Sequence, residues 1–346
     1  MSQNRTITLE PIEHKYTDDR GSVYTSVTTL IGKFHEKFDD ILWSYYKAYG
    51  YYNYKVCPKK IDQKMIGFNS QANMFGDGLT DYRHIGDIVR TAESRIKEKA
   101  QSIRDLWSSG NKTSLKWGSN THDNLEFGIN TFYPKRGDCT YALKEGLDLN
   151  YDNAFVNHND LLNSDINVKF PTIFKYLYDL ITDGFVIFTE VLIYHPDERY
   201  LVCGKADVVA VRGKDVIVAD WKTNKESLTK EAGYFKKITD YDTGIDTYTG
   251  KFVSLPNKKM YKPIDHIPDC AYWHYALQLN MYGYLISLFG FNILKYELWH
   301  LVPLFSNEGK LIDLGDGERL LGTPKYYRLP VLMNEVKVLI ETTKTH

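Results

Sequence analysis

Residues 186–222 read VIFTEVLIYHPDERYLVCGKADVVAVRGKDVIVADWK, and this stretch predicts three consecutive β-strands. The strands run from Val186 to Tyr194, from Tyr200 to Val211 and from Val216 to Lys222, where apolar and β-branched residues dominate. Short segments rich in Pro, Asp and Gly separate the strands and favour tight turns. Because tight turns join neighbouring antiparallel strands, the stretch predicts a three-stranded meander.

The polar residues at the end of the third strand are the first candidates for a functional site. Asp220 and Lys222 share one face of that strand, because side chains alternate with a period of two. The Asp-x-Lys pattern alone carries little information, since D/E-x-K recurs elsewhere in the chain. Asp207 makes the pattern more specific, because it lies on the preceding antiparallel strand and can come beside Asp220.

Two buried, adjacent carboxylates repel each other strongly unless a cation neutralises them. Mg²⁺ or Mn²⁺ fits such oxygen ligands, and the backbone carbonyl of Trp221 could complete the coordination shell. Lys222 would then orient an attacking water or stabilise charge developing on a phosphate. Gly204 has no side chain and would let a phosphate backbone or a helix approach the second strand.

Hydrophobic periodicity predicts the elements around the meander. A hairpin that turns at Asp18 to Gly21 precedes a short helix, for which Ser26 to Thr29 offers N-cap side chains. Further helices are predicted at Asp39 to Tyr49, Asp81 to Trp107 (ended by Ser108-Ser109-Gly110-Asn111), Ser114 to Ile129, Phe170 to Thr182, Tyr272 to Leu288 and Pro330 to Thr342, with a strand at Leu294 to Val302. A loop is expected near Gly67 to Gly78, and the polar, Asn/Asp-rich segment from Gly128 to Asn167 shows little periodicity.

The composition limits the class of protein. With 346 residues, of which 43% are hydrophobic, the chain can bury a substantial core, and a net charge of −1 means that any DNA contact must come from local patches. The four cysteines are far apart, which favours free thiols over a zinc ribbon or a disulfide framework. The chain has neither a long apolar run nor an apolar N-terminal signal, so we expect a soluble cytoplasmic protein without a membrane partner.

The segment Asn224 to Pro268 is a long polar insertion after the meander. Lys225, Lys236 and Lys237 lie among Tyr and Phe residues, which is typical of a groove that binds single-stranded nucleic acid by charge and stacking. A solvated lysine-rich loop explains the same composition equally well. The chain has no Walker A motif, so it is not expected to act as its own helicase.

Taken in chain order, the motifs resemble those of a known family. They are Gly118-x-x-x-His122-x-x-x-Glu126, Glu190, Gly204-x-x-Asp207, Asp220-x-Lys222 and Gln278-x-x-x-Tyr282. This order is similar to that of the RecB-like clade of the PD-(D/E)XK nuclease superfamily, over roughly residues 115 to 302. The resemblance implies an α/β fold with a restriction-endonuclease-like core, in which helices flank a central mixed β-sheet. A mostly helical N-terminal elaboration would precede that core.

The resemblance also implies a role for each motif residue. Asp207 and Asp220 would be carboxylate ligands of one or two Mg²⁺ or Mn²⁺ ions, and Lys222 the catalytic lysine. His122 would bind the metal through its imidazole, and Glu190 would be a weaker, additional acid. In the helix, Gln278 and Tyr282 would face the site and position DNA or the lysine. Some members of the clade carry an iron–sulfur cluster, but the cysteines here do not match its spacing, so none is expected.

We therefore expect a single elaborated nuclease domain over residues 1–346. Residues 1–114 would form the wall of the site, 115–302 the core with the 224–268 insertion, and 303–346 a C-terminal extension. The expected activity is metal-dependent hydrolysis of DNA, by an exonuclease or end-processing enzyme that acts on single strands or DNA ends. A helicase or recombination protein would be its partner in trans.

Two alternatives stay open. A structure-specific or nicking endonuclease would use the same chemistry, whereas a non-cleaving nucleic-acid-binding scaffold in replication or recombination would belong to another class.

Overall fold

The computed structural model describes residues 7–10, 15–52, 56–59, 81–84, 92–129, 141–143, 146–147, 149, 154–315 and 318–345. These residues form a mixed α/β fold, in which helices cover both faces of a central sheet of ten described strands. In this part of the chain, no helix combines the length and the apolar character needed to cross a membrane. The sequence-based prediction of an α/β protein with a flanked mixed sheet is confirmed at this level.

The strands are β1 (Ile7–Glu10), β2 (Lys15–Asp18), β3 (Val23–Ser26), β4 (Val56–Lys59), β5 (Asp81–His84), β6 (Tyr141–Leu143), β7 (Ala154–Phe155), β8 (Val186–Tyr194), β9 (Val202–Arg212), β10 (Asp215–Lys222), β11 (Gly233–Thr239), β12 (Asp246–Ser254), β13 (Asn292–His300), β14 (Asp313–Gly315), β15 (Glu318–Arg319) and β16 (Lys325–Arg328). The helices are α1 (Val27–Ile31), α2 (Asp40–Tyr51), α3 (Ser94–Ile129), α4 (His158–Leu162), α5 (Ile166–Lys169), α6 (Pro171–Thr182), α7 (Ala271–Ser287) and α8 (Met333–Glu341).

The predicted meander forms the middle of the central sheet. β8, β9 and β10 pair antiparallel, and β13 then adds parallel to β10. β16 pairs antiparallel with β13, so the C-terminal segment supplies an edge of the same sheet. The predicted N-terminal hairpin belongs to this sheet as well, because β3 pairs parallel with β9.

The sheet divides beside the middle of β9. β8 runs along one edge of β9 from Cys203 to Val211. On the other edge β3 pairs with Val202 and Cys203, whereas β10 pairs only from Val208 onward. No described strand pairs with Gly204 to Asp207 on that edge, so this segment is open to neighbouring helices and side chains.

Different helices cover the two faces of the sheet. On one face α7 packs with α1 and α8 over residues such as Val209, Val216 and Val218. On the other face α6 packs through Ile173 and Leu177, whose spacing puts both on one side of the helix. Each layer is apolar where it meets the sheet, so the sheet is buried between two hydrophobic cores.

The alternation of side chains shifts by one residue within β8. Phe188 and Val191 pack on the same face of the sheet, although residues three apart in a regular strand point to opposite faces. Between them lies Glu190, with φ = 53°, the one non-glycine residue of the described chain with a positive φ. A left-handed backbone costs such a residue about 1–2 kcal/mol, and strain of this kind is concentrated at functional sites.

Two predictions about the helices were wrong. Asp81–His84 form β5, and the described helix begins only at Ser94. The predicted break at Ser108 to Asn111 does not occur, because α3 continues from Ser94 to Ile129. Residues 85–91 and the predicted loop at 67–78 lie outside the described residues.

Packing at both ends of α3 explains why it continues through weak helix formers. Ile103 packs beside α2, and Leu125 is buried at the opposite end against the core under α6. Within the predicted break, Thr113 and Ser114 donate hydroxyl hydrogen bonds to the carbonyls of Ser109 and Gly110. Tertiary packing therefore overrides local propensity here.

The insertion after β10 is more regular than its sequence indicates. β11 and β12 pair into an antiparallel hairpin within it, although no periodicity was predicted there. The hairpin contains both lysines and aromatic residues, and its side chains are half-exposed or exposed. Its strands therefore lack the apolar face on which a strand prediction depends.

Candidate metal centre and its cleft

Three carboxylates lie in one row across the meander. The register of β8 with β9 places Glu190 opposite Asp207. The pairing of β9 with β10 ends at Val208 and Ala219, and Asp207 and Asp220 are the next residue on each strand. The row therefore brings together an acid from each of three neighbouring strands, at the place where the sheet divides.

Asp207 also ends the pairing between β9 and β10. The backbone pairs of these strands end at Ala219, and the N–H of Trp221 donates to Asp207 Oδ2 at 3.1 Å. The indole of Trp221 packs in the core on the opposite face of the sheet. This bond orients the Asp207 carboxylate, while the proposed role of the Trp221 carbonyl as a ligand stays a prediction.

Helix α3 brings His122 to the row. Its Nδ1 lies 3.4 Å from Asp207 Oδ2. One side-chain donor atom each from His122, Glu190 and Asp207 lies within 4.8 Å of the others. These three residues therefore form a group compact enough for one metal ion. Glu126 belongs to the same helix, but its side chain lies outside the described part of the structure.

Gly118 explains how α3 comes this close to the sheet. A Cβ at this position would lie 3.2 Å from Oγ1 of Thr223, the residue that follows β10. His122 is one helical turn further along the same face, because residues four apart are neighbours on a helix. The Gly118-x-x-x-His122 motif therefore has a physical basis: glycine permits the approach that places the imidazole beside Asp207.

Asp220 is the most deeply buried member of the row. Its side chain is about 1% exposed, and Lys222 Nζ lies 2.6 Å from its Oδ1. Neither carboxylate oxygen has a well-directed hydrogen bond to any described residue, so the lysine contact acts as an ion pair. Burial and the neighbouring Asp207 charge raise the pKa of Asp220 well above its usual value.

The pKa of Asp207 shifts in the opposite direction. Burial raises the pKa of its carboxyl, but the charges of His122 and Lys222 and the N–H of Trp221 outweigh this and lower the pKa overall. Asp207 therefore carries the negative charge more readily than Asp220. Two neighbouring carboxylates that titrate apart in this way behave like a pair that shares one proton.

Lys222 remains charged in this environment. Burial alone would lower the pKa of its ammonium, but the carboxylates of Asp220 and Asp207 raise it above the ordinary value. Nζ also lies 5.1 Å from the centre of the Tyr275 ring. The lysine therefore presents a fixed positive charge between the carboxylates and the cleft.

A second lysine balances Glu190. Lys205 Nζ lies 2.6 Å from Glu190 Oε2, and both side chains are largely buried. Lys205 belongs to the Gly204-x-x-Asp207 segment but was not predicted to belong to the site. The ion pair between Lys205 and Glu190 reduces the net negative charge of the row.

Gln278 and Tyr282 lie behind the carboxylates and not on the surface of the cleft. Gln278 Nε2 donates to Tyr282 Oη at 2.9 Å, and both residues are buried. A Cβ on Gly204 would lie 2.5 Å from Cε1 of Tyr282. Gly204 therefore admits a helix, one of the two approaches expected from its sequence. Contact between DNA and Gln278 or Tyr282 stays a prediction, since neither lines the cleft.

The chemistry of these residues fits a divalent cation. Burial and the neighbouring Asp207 disfavour the charge of Asp220 even with Lys222 beside it, and a further cation would relieve this repulsion. One imidazole nitrogen and several carboxylate oxygens form a donor set suited to Mg²⁺ or Mn²⁺. His122, Glu190 and Asp207 would hold such an ion, with Asp220 beside Asp207 as a further oxygen donor.

An open cleft of about 960 Å³ leads to this centre, and His122 and Lys222 lie in its wall. The hairpin of β11 and β12 forms the far wall, through aromatic residues such as Tyr234 and Phe252. Of the lysines predicted to contact DNA, Lys225 and Lys237 line the cleft, whereas Lys236 does not. The cleft thus places positive charge and aromatic rings beside His122 and Lys222, the residues of the centre that line it.

Sequence reasoning missed several residues of the cleft. Tyr275 donates its hydroxyl to Asn224 Oδ1 at 2.7 Å beside Lys222. His274 belongs to none of the sequence motifs, yet it lies with His35 and Asp269 in a second compact group of metal-ligand residues. Tyr275 stands one turn before the Gln278 motif, which is a signal that could have found it. His35 and His274 are far apart in sequence, so no spacing connects them.

The comparisons with known proteins are negative. No protein-family model, no curated protein and no solved structure matches this chain.

Proposed function

We propose that this protein is a metal-dependent DNA nuclease with a PD-(D/E)XK-type centre of the RecB-like clade, built on a restriction-endonuclease-like core. The observation that supports this best is the row of Glu190, Asp207 and Asp220 across three adjacent strands, with His122 and Lys222 beside it. An acid–lysine pair at a strand end would not by itself indicate a nuclease. A buried acid row that meets an imidazole and opens into a cleft is a hydrolytic arrangement.

In the proposed reaction, water attacks phosphorus in line with the departing oxygen of the DNA strand. A bound Mg²⁺ or Mn²⁺ would supply Lewis-acid polarisation of the phosphate and would acidify nearby water. Lys222 faces the cleft with a persistent positive charge, so it stabilises the charge that develops on the phosphate oxygens. The Trp221 N–H holds Asp207 in place.

The cleft is suited to a nucleic-acid strand rather than a small molecule. Lys225 and Lys237 supply positive charge for the backbone, and Tyr234, Phe235 and Phe252 supply faces on which bases can stack. This combination is the one expected of a single-strand groove, and it favours DNA ends or single strands as substrates. We accordingly favour an exonuclease or end-processing enzyme.

An endonuclease is the second candidate, because the open shape of the cleft does not by itself require a free end. A non-cleaving scaffold is less well supported. A protein that does not cleave DNA could lose the acids and the lysine, but this chain has all of them. Asp220 also keeps an environment that disfavours its charged form. In a protein that only bound DNA, this environment would lower stability without serving a function.

The experiment that tests the proposal uses end-labelled linear and covalently closed circular single-stranded DNA with Mg²⁺, Mn²⁺ or EDTA. Wild-type protein should degrade the linear strand in either metal, and Asp220→Asn should lower the rate by at least about 100-fold. Asp215→Asn is the matched control, because Asp215 lies at the opposite end of the same strand. It should leave the rate unchanged.

Cutting of the circle would select the endonuclease. Binding of DNA without cleavage of either substrate would refute the nuclease proposal in favour of the scaffold.

A further inference from the structure

A second group of potential ligands lies in the same cleft. It consists of His35 in the segment after α1, Asp269 just before α7, and His274 in the first turns of α7. One donor atom each from these residues lies within 4.8 Å of the others. None of the three belongs to the carboxylate row.

His274 and Asp269 share a hydrogen bond inside this group, and a metal ion could take the place of the shared proton. His274 Nε2 lies 2.9 Å from Asp269 Oδ1, and Asp269 is only about 3% exposed. Lys258 Nζ lies 3.4 Å from the other oxygen of the same carboxylate. A buried carboxylate held between an imidazole and an ammonium is oriented, and its first oxygen faces the histidines.

The two imidazole rings lie against each other. The rings of His35 and His274 stack with their centroids 4.4 Å apart and their planes 25° apart. The neutral imidazole is the form that binds metal ions. His35 Nδ1 lies 3.1 Å from the carbonyl oxygen of Glu36, which would hold that ring by its other nitrogen.

The chemistry of the donors separates this group from the carboxylate row. Two imidazole nitrogens and one carboxylate oxygen suit a transition metal such as Zn²⁺, whereas an oxygen-rich site suits Mg²⁺. The three ligands leave coordination positions open, and all three residues line the cleft. A metal ion here would thus be accessible to a ligand in the cleft.

We propose that His35, Asp269 and His274 form a second metal site, selective for Zn²⁺-like transition-metal cations. The site joins the segment after α1 to the start of α7, and the loop before α7 already contacts that segment, where Tyr261 N–H donates to Phe34 O at 2.6 Å. Metal binding therefore holds these two segments together in one wall of the cleft. This inference does not depend on the nuclease proposal, because it concerns binding by other residues.

The test is isothermal titration of the full-length protein with Zn²⁺ in a His122→Ala/Asp207→Asn background, which removes the carboxylate-row centre. One Zn²⁺ should bind per chain. Adding His274→Ala or, separately, His35→Ala should weaken binding by at least about 100-fold, since loss even of outer-shell partners costs 10–100-fold. Adding His266→Ala is the control, because His266 is exposed and pairs with Glu335 away from the group.

Thermal unfolding of each variant without metal would show that it is folded. Loss of Zn²⁺ binding in both histidine variants, with binding kept in His266→Ala, supports the site. No Zn²⁺ binding in the background protein would overturn it. Unchanged affinity in both the His35→Ala and His274→Ala variants would overturn it as well.

Discussion

At the residue scale, Asp220 is a fully buried carboxylate whose oxygens lack a well-directed hydrogen bond within the described structure. Its raised pKa, caused by burial and by Asp207, means that the charged form is disfavoured in the folded, metal-free protein. The residue is thus arranged for a cation and not for stability. Asp220 should therefore contribute to stability mainly when a metal is bound.

Asp220→Asn should accordingly change the stability of the protein in EDTA at neutral pH only slightly, because the raised pKa already favours the neutral carboxyl and Asn is its neutral isostere. Mn²⁺ at 100 times its dissociation constant should stabilise the wild type by about 2.7 kcal/mol and the variant much less. Chemical denaturation of both proteins, with and without Mn²⁺, measures these differences. Asp18→Asn is the contrast: Asp18 accepts backbone N–H bonds from Arg20 and Ser22, so its loss should destabilise.

A second prediction concerns Lys222. Lys222→Ala should lower kcat for DNA cleavage by about 10²–10³-fold, because it removes the positive charge nearest the carboxylates. Lys214→Ala, in the turn before β10, should leave kcat unchanged. Single-turnover kinetics on linear DNA separates this loss from a loss of binding. A Lys222→Ala enzyme with wild-type kcat would refute the role assigned to the lysine.

At the scale of elements, Gly110 and Gly118 lie on the same helix, α3, but in different surroundings. A Cβ on Gly110 would meet nothing within 4 Å, whereas a Cβ on Gly118 would press on Thr223. Gly110→Ala should therefore stabilise the protein by about 0.5–1 kcal/mol through helix propensity alone. Gly118→Ala should increase stability less. It should also weaken Mn²⁺ binding, because the added methyl group moves α3 away from Asp207.

Thermal unfolding and Mn²⁺ titration of the two variants test this comparison. Equal Mn²⁺ affinity in Gly110→Ala and Gly118→Ala would show that the close approach of α3 to Thr223 does not position His122.

The junction of β13 with the loop after β10 depends on a buried histidine. His300 Nε2 lies 2.8 Å from the carbonyl oxygen of Asn224, so this nitrogen carries a proton and donates it. Burial lowers the pKa of His300 below its usual value. His300 therefore binds a proton more readily in the unfolded chain than in the folded chain. Stability from this residue is present above about pH 6.5 and is lost as the pH falls below it.

His300→Gln should remove part of that pH dependence, since an amide can still donate to Asn224 but does not titrate. Urea unfolding at pH 7.5 and pH 5.5 should show a larger loss of stability in the wild type than in the variant. Equal losses would mean that His300 does not resist protonation in the folded state.

At the scale of the whole molecule, the sequence predicted those parts in which local pattern and tertiary packing agree. The meander of β8, β9 and β10 follows from period-two alternation and turn residues, and it is confirmed. That register also accounts for the closeness of Asp207 and Asp220. Glu190 was the weakest candidate from sequence, yet its unusual backbone places it within the group of ligands.

The sequence could not predict features that only the folded chain creates. Ser108 to Asn111 resembles a helix stop, but packing at both ends of α3 carries the helix through it. The cluster of His35, Asp269 and His274 joins residues from distant parts of the chain, and no local pattern relates them. The pairing of β16 and β3 with the central sheet likewise depends on long-range topology.

The central claim is that the carboxylate row and His122 bind a divalent cation, and anomalous diffraction from crystals soaked in Mn²⁺ tests it most directly. The account predicts an anomalous peak within about 2.5 Å of both the Asp207 carboxylate and the His122 imidazole. That peak should be absent from Asp207→Asn crystals. A well-ordered row without a peak, or with peaks only elsewhere in the molecule, would contradict the account.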